Sequence, residues 1–179
     1  MGTPKALLAW NGSTLLEFAL EQARAAAVDD VVVVLGPSTA HVDGSLGAAR
    51  AVINPRPETG RSASIRLGSA ALSDELDAIV IQSVDQPTPV EVLRAMFAAV
   101  EHGDGRVAVP TYLGRRGHPV CFAGNLLPEL RRVAEHDEGL RSVVRRYAAQ
   151  LVEVPVNSES VLWNLNDPAA YAAAQARTQ

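Results

Sequence analysis

Two short apolar runs constrain this chain more than anything else in it. Asp30 to Leu35 carries four consecutive valines and stops at Gly36-Pro37, and Asp77 to Ser83 holds Ala-Ile-Val-Ile between polar ends. Runs of this length, unbroken by polar residues and rich in β-branched side chains, read as strands buried on both faces. A strand with no wet face needs helices above and below it, which selects an α/β layer architecture over a sandwich or a bundle.

The helix signals agree. Thr14-Leu15-Leu16-Glu17 is a capping box and predicts a helix to about Ala27. Thr88-Pro89-Val90-Glu91 repeats the pattern with proline at the first helical position and predicts a helix to about His102. Ser62 to Leu72 reads as a third helix. Weaker patterns give a helix over Thr39–Leu46, a strand over Ala51–Ile53 and a loop at Asn54-Pro55-Arg56-Pro57. A strand over Arg106–Thr111 runs into the basic turn Leu113–His118, followed by a short strand over Pro119–Phe122. Helices over Leu126–Glu135 and Glu138–Ala149, a strand over Leu151–Val156 and an Ala-rich helix capped by Asp167 complete the order. Strands alternating with helices predict a mostly parallel sheet covered on both faces. Such a domain ordinarily opens with a strand and a glycine-rich turn, whereas this chain opens in a loop.

Composition narrows the function classes. At 179 residues and 47% hydrophobic, the chain reads as one domain spanning 1–179. A net charge of −4 argues against nucleic acid as a partner, so any anion site must be local. The single Cys121 excludes an internal disulfide and reads as core, and no Cys/His cluster has zinc spacing. No apolar run is long enough for a membrane span and no signal peptide opens the sequence. The expectation is a cytoplasmic protein with no membrane partner.

Lys5 is the only lysine among the 16 Lys and Arg residues. An ammonium is a compact point charge that fits between phosphate oxygens without the planar fork of a guanidinium; codon bias is the plain alternative. Asp85 follows the buried strand Asp77–Ser83, at the strand end where open α/β sheets bind ligands. It is placed either to hold a hard cation through oxygen or to shape the turn before Pro87. Gly60-Arg61-Ser62-Ala63-Ser64-Ile65-Arg66-Leu67-Gly68 brings two hydroxyls and two guanidinium groups to a helix start, where backbone N–H groups suit an anion or a nucleotide's polar edge, or where a serine simply caps beside exposed arginines. Arg115, Arg116 and His118 form either a phosphate-receiving cluster or a solvated turn. Asn164 and Asn166, two apart in an extended segment, share a side, and one of them could add an oxygen ligand beside Asp85.

Met1-Gly-Thr-Pro-Lys5, Gly60-x-Ser-x-Ser64, Asp85-Gln-Pro87, Gly117-His-Pro-Val120 and Asn164-Leu-Asn-Asp-Pro168 together resemble the MobA-like nucleotidyltransferase family, in that family's order and across nearly the whole chain. The serine-rich and Gly-His-Pro segments look more like the molybdenum cofactor cytidylyltransferase branch; Asn164-Leu-Asn166 is similar to the guanylyltransferase branch. The resemblance implies a Rossmann-like three-layer α/β/α sandwich and transfer of CMP or GMP from CTP or GTP to the phosphate of a pterin cofactor, with pyrophosphate released. It implies Lys5 and Asp85 as catalytic residues, and Gly2, Lys5, Ser62, Ser64 and Asp85 on the nucleotide. It further implies Arg116, His118 and Asn164 on the acceptor, and Mg²⁺ at Asp85 and Asn166. A molybdoenzyme receiving the cofactor is an implied partner. Other phosphorylated acceptors on the same fold, and a non-catalytic protein that holds the cofactor, are the rival readings. In the family a first strand and a glycine-rich loop precede the segment matched by Met1–Lys5, and the expectation is that both are absent from this sequence.

Overall fold

The computed structural model describes residues 3–101 and 105–178, the side chain of Asp43 excepted. Gly2 therefore lies outside the described residues, as does the end of the helix expected to reach His102.

A 3-10 turn over Lys5–Leu7 leads into a small hairpin of β1 (Ala9–Trp10) and β2 (Ser13–Thr14). Thr14 then opens α1 (Leu15–Ala25) through the expected capping box, its hydroxyl accepting from the Glu17 N–H while Glu17 accepts from the Thr14 N–H. β3 (Val32–Leu35) pairs in parallel with β4 (Arg50–Ile53). Between them Pro37–Ser45 forms a 3-10 helix rather than the α-helix expected over Thr39–Leu46. The segment has Pro37 at its start and Gly44 near its end, with no sustained apolar stripe to dock an α-helix.

α2 (Arg61–Ala71) crosses over to β5 (Ala78–Ile81), and α3 (Val90–Glu101) follows. The second capping box does not form. The Thr88 hydroxyl donates to the Gln86 carbonyl, and the Val90 N–H donates to the side chain of Gln22 from α1. A tertiary cap has displaced the local one.

β6 (Val107–Tyr112) turns through Leu113-Gly114 into β7 (Arg115–Arg116) and then β8 (Val120–Ala123). The two turn residues have φ of 50° and 74°, the left-handed pair that a two-residue hairpin demands. This hairpin makes the sheet mixed: β8 is antiparallel to both β5 and β6, whereas β9 (Leu151–Pro155) is parallel to β6. α4 (Leu127–Leu130) and α5 (Leu140–Arg146) are shorter than expected, and α6 (Pro168–Thr178) is capped by Asp167, which accepts from the Ala170 N–H.

Helices cover both faces. Ile79 of β5 and Val107 and Val109 of β6 pack with Ile65 of α2, with Leu127 and Leu130 of α4, and with Val143 of α5. Ala108 and Cys121 face Val92, Met96 and Val100 of α3 on the other side. The fold is the expected α/β three-layer class, with a break in its middle. Among the described residues β3 pairs only with β4, and β5 pairs only with β8. Between these two edges lies a cavity of about 1050 Å³ lined by Val32–Val34, Ala78–Ile81 and helix residues from both layers.

Candidate active site

Lys5 is brought to the site by hydrophobic anchoring of its neighbours. Ala6 and Leu7 pack with Leu16, Leu35 and Val84, at the carboxyl ends of β3 and β5. Asp85 sits in the turn directly after β5, and the Gln86 N–H closes that turn on the Ser83 carbonyl at 3.1 Å. The Asp85 carbonyl in turn accepts from the Leu165 N–H at 3.0 Å. Leu165 is buried against Trp10 and Leu15, which leaves Asn164 and Asn166 on the exposed side of that segment, as their spacing predicted.

These constraints converge on one point. The Lys5 ammonium donates to Asp85 Oδ2 at 2.7 Å and to Asn166 Oδ1 at 2.5 Å. Residues 80 and 161 positions from Lys5 in sequence thus meet around a single cation. The Asp85 carboxylate is thus engaged by Lys5, a residue distant in sequence. Its side chain is 16% exposed and that of Lys5 33%, so the pair is shielded yet reachable.

The start of α2 adds a second, cationic side. Gly60 has φ +103°, and a Cβ there would stand 2.7 Å from Glu135 Cδ, so only glycine fits. That close approach lets Glu135 accept from the Ser62 N–H at 3.0 Å. The two hydrogen bonds from Ser62 hold the Glu135 carboxyl below its usual range, with Arg61 and Arg66 adding to the effect. Ser62 is buried, and the Ser64 hydroxyl accepts from Asn54 Nδ2 at 3.0 Å. Arg61 is depressed by burial, while Asp85 and Glu135 pull in the opposite direction.

His118 joins the same electrostatic neighbourhood. Burial lowers its pKa, Arg61 and Arg141 lower it further, and Asp85 partly offsets them. Its backbone N–H is fixed by the Val161 carbonyl at 2.8 Å, and a Cβ on Gly117 would fall 2.3 Å from that carbonyl oxygen. Arg116 does not join: it is exposed and ion-paired with Glu153 of β9 at 2.7 Å. Arg115 is exposed as well, so the guanidinium part of this cluster is a solvated hairpin turn.

The structure therefore gathers Lys5, Asp85 and Asn166 tightly, places Arg61 and His118 within their field, and sets Ser62 at the mouth of α2. Sequence reasoning missed Glu135 and Arg141. Glu135 contacts a partner 73 positions away and lies in an unremarkable polar stretch, so no local signal marks it. Arg61 was legible as a cation at a helix start but not as a partner of Asp85.

Residues 1–152 match the model of the MobA-like NTP transferase domain. Nicotine blue oxidoreductase of Paenarthrobacter nicotinovorans is 32% identical over 152 residues, covering 80% of this chain and 74% of that protein. Among solved structures, Rv0371c of Mycobacterium tuberculosis superposes with a TM-score of 0.83 at 25% identity, over 98% of this chain and 90% of that one. Its manganese complex gives 0.80 at 24% identity, over 97% and 91%. A nucleotidyl transferase from Methanothermobacter thermautotroptrophicus gives 0.78 at 25% identity, over 98% and 86%. The family model covers most of the chain, and this protein belongs to the MobA-like NTP transferase domain family of nucleotidyltransferases.

Proposed function

We propose that this chain transfers CMP or GMP from the corresponding nucleoside triphosphate to the phosphate of a pterin cofactor of the molybdenum cofactor type. An acceptor phosphate oxygen attacks the α-phosphorus, the bond from that phosphorus to the β-phosphate's bridging oxygen breaks, and pyrophosphate leaves. The observation that carries the reading is the convergence of Asp85 and Asn166 oxygens on the Lys5 ammonium at the carboxyl end of β5.

The same convergence supports a divalent metal. Two oxygen donors already flank a cation, and an all-oxygen donor set suits Mg²⁺. No cluster of three or more His, Cys, Asp or Glu residues stands among the described residues, which fits a metal that shares its ligands with substrate phosphates. Asp85 and Asn166 would hold it, and when bound it would offset charge on the triphosphate. Lys5 binds and neutralises phosphate oxygens. Arg61 and His118, in the field of Asp85, receive the acceptor phosphate together with Asn164, Ser62 and Ser64 orient the nucleotide, and Gly2 is an expected nucleotide contact, whereas Arg116, paired with Glu153, is not retained on the acceptor. Catalysis here is positioning and charge compensation.

The test is pyrophosphate release with CTP, GTP and a molybdopterin acceptor, with and without Mg²⁺. Release is expected only with acceptor and metal present, and Asp85→Asn should lower it roughly 100- to 1,000-fold. Equal turnover by Asp85→Asn, or release that ignores the pterin, overturns the reading. A second reading follows from the Paenarthrobacter relative, whose name is that of an oxidoreductase, because one fold hosts unrelated chemistries. Consumption of a reduced nicotinamide without pyrophosphate release would favour it.

A further inference from the structure

The first turn of α2 takes its cap from a residue 73 positions away. Gly60 stands at the N-cap and has no side chain to offer, so the free N–H groups of that turn need a partner from elsewhere. Glu135, in the 3-10 turn Glu135–Asp137 between α4 and α5, supplies it. Its Oε2 accepts from the Ser62 N–H at 3.0 Å, and its carboxylate also takes the Ser62 hydroxyl. A carboxylate at this position complements the positive end of the helix dipole as well.

The whole α4–α5 connection closes on α2 with it. Arg66, one turn further along the helix, donates to the Val133 carbonyl at 2.7 Å. Gly139 comes so near that a Cβ on it would stand 2.7 Å from Ser62 Oγ. The Gly139 N–H returns to the Ala134 carbonyl at 2.9 Å, and left-handed Glu138, with φ of 63°, turns the chain into α5. Ser62 is buried beneath this strap. Residues 133–139 and the mouth of α2 thus form one packed unit with Glu135 at its centre.

Two cations leave this unit beside the site. Arg61 directly precedes Ser62, and Arg141 follows Gly139 by two residues. Neither closes an ion pair among the described residues. Both act on His118, whose pKa burial lowers first and these two guanidinium groups lower further, against the pull of Asp85. His118 is anchored independently of the unit: its own N–H donates to the Val161 carbonyl at 2.8 Å, and the Gly117 N–H to the Pro110 carbonyl at 2.8 Å. The histidine therefore stays in place whatever happens at the mouth of α2, and it senses where the two arginines stand.

We infer that Glu135 is a positioning residue: through Ser62 it locks the α4–α5 connection to the mouth of α2, and so sets Arg61 and Arg141 beside His118 as the cationic side of the site. Its consequence for catalysis rests on the proposed transfer reaction, in which Arg61 and His118 receive the acceptor phosphate. Its consequence for the placement of the two arginines does not.

The experiment follows the imidazole resonances of His118 by NMR titration in the parent, in Glu135→Ala, Glu135→Asp and Glu135→Gln, and in Arg61→Met and Arg141→Met with and without Glu135→Ala. By charge alone, removing a carboxylate can only destabilise an imidazolium and lower its pKa. Displacing Arg61 and Arg141 acts in the opposite sense. Glu135→Ala should therefore raise the His118 midpoint toward the ordinary imidazole value of about 6.5. Glu135→Asp, which keeps the charge but falls a methylene short of Ser62, should raise it too, and it serves alone if the alanine variant does not fold. Glu135→Gln keeps an oxygen for the Ser62 N–H and should stay near the parent. Arg61→Met and Arg141→Met should each raise the midpoint, and raise it less once Glu135 is alanine. A midpoint that Ala and Asp leave unchanged or lower, a Gln variant that shifts as far as Ala, or fully additive arginine effects would each overturn the placement. In pyrophosphate release with CTP or GTP and a molybdopterin acceptor, Glu135→Ala should raise the acceptor KM roughly 10-fold, with Gln recovering most of it. An unchanged acceptor KM would overturn the role toward the acceptor. If the parent itself releases no pyrophosphate, the transfer reading fails, and the His118 titrations still decide where Glu135 puts the arginines.

Discussion

The contact between Lys5 and Asp85 should behave as an energetically coupled pair, and a double-mutant cycle with Lys5→Met and Asp85→Asn measures it. At 2.7 Å, with an effective dielectric near 20, the Coulomb attraction is roughly 4–6 kcal/mol. Withdrawing two partly shielded charges from water offsets most of that, as does the entropy of fixing the lysine stem. What remains is the net value of a hydrogen bond between charged groups at a partly shielded site, about 1–2 kcal/mol. Asp85→Asn keeps an oxygen for Lys5 and removes the charge; Lys5→Met keeps the apolar stem and removes the ammonium. Urea unfolding of the four proteins at neutral pH gives the coupling directly. Because the pair is shielded, raising salt to ~1 M should reduce it by less than half. A coupling below about 0.3 kcal/mol, within the additivity of independent sites, would show that the two groups do not meet in solution and would remove the basis for the site.

The remaining expectations are quicker to check. His118 has a folded pKa below its unfolded value of about 6.5, so protonation favours the unfolded chain, and stability should fall as pH drops through that value. His118→Asn should flatten that fall; a His118 NMR titration midpoint at or above 6.5 contradicts the account. Glu135 has a depressed folded pKa, so its contribution is present above the ordinary carboxylate range and lost as pH falls through the folded value. Glu135→Gln should therefore lower the urea midpoint at pH 7 and change it little in strong acid, and an equal loss at both would assign the residue a purely steric role. Gly60→Ala must place a Cβ against Glu135 at a left-handed φ and should cost about 1–3 kcal/mol by thermal unfolding.

Elements whose signals are local were legible in the sequence. The valine run of β3, the apolar run of β5 and the Thr14–Glu17 box each carry their instructions within a few residues. Where a distant group competes, the local rule fails. At Thr88 the box is spelled correctly, but Gln22 of α1 reaches the Val90 N–H and the hydroxyl turns to Gln86. At Pro37–Ser45 no apolar stripe gives an α-helix a face to bury. The site divides the same way. Lys5, Asp85 and Asn166 were visible as odd residues in telling places, whereas Glu135 belongs to the α2 mouth only through folding.

The split sheet and the site are one structural problem. Lys5 is held by Ala6 and Leu7 against the carboxyl ends of β3 and β5, the two strands that face each other across the gap. Asp85 leaves β5 at that same end, and Leu35 closes β3 there. Any variation in the spacing of these two strands moves the lysine relative to its carboxylate, because among the described residues no hydrogen-bonded ladder joins them and helices α1, α2 and α3 pack across the gap. The gap in the sheet is therefore a constraint on the chemistry as well as on the fold.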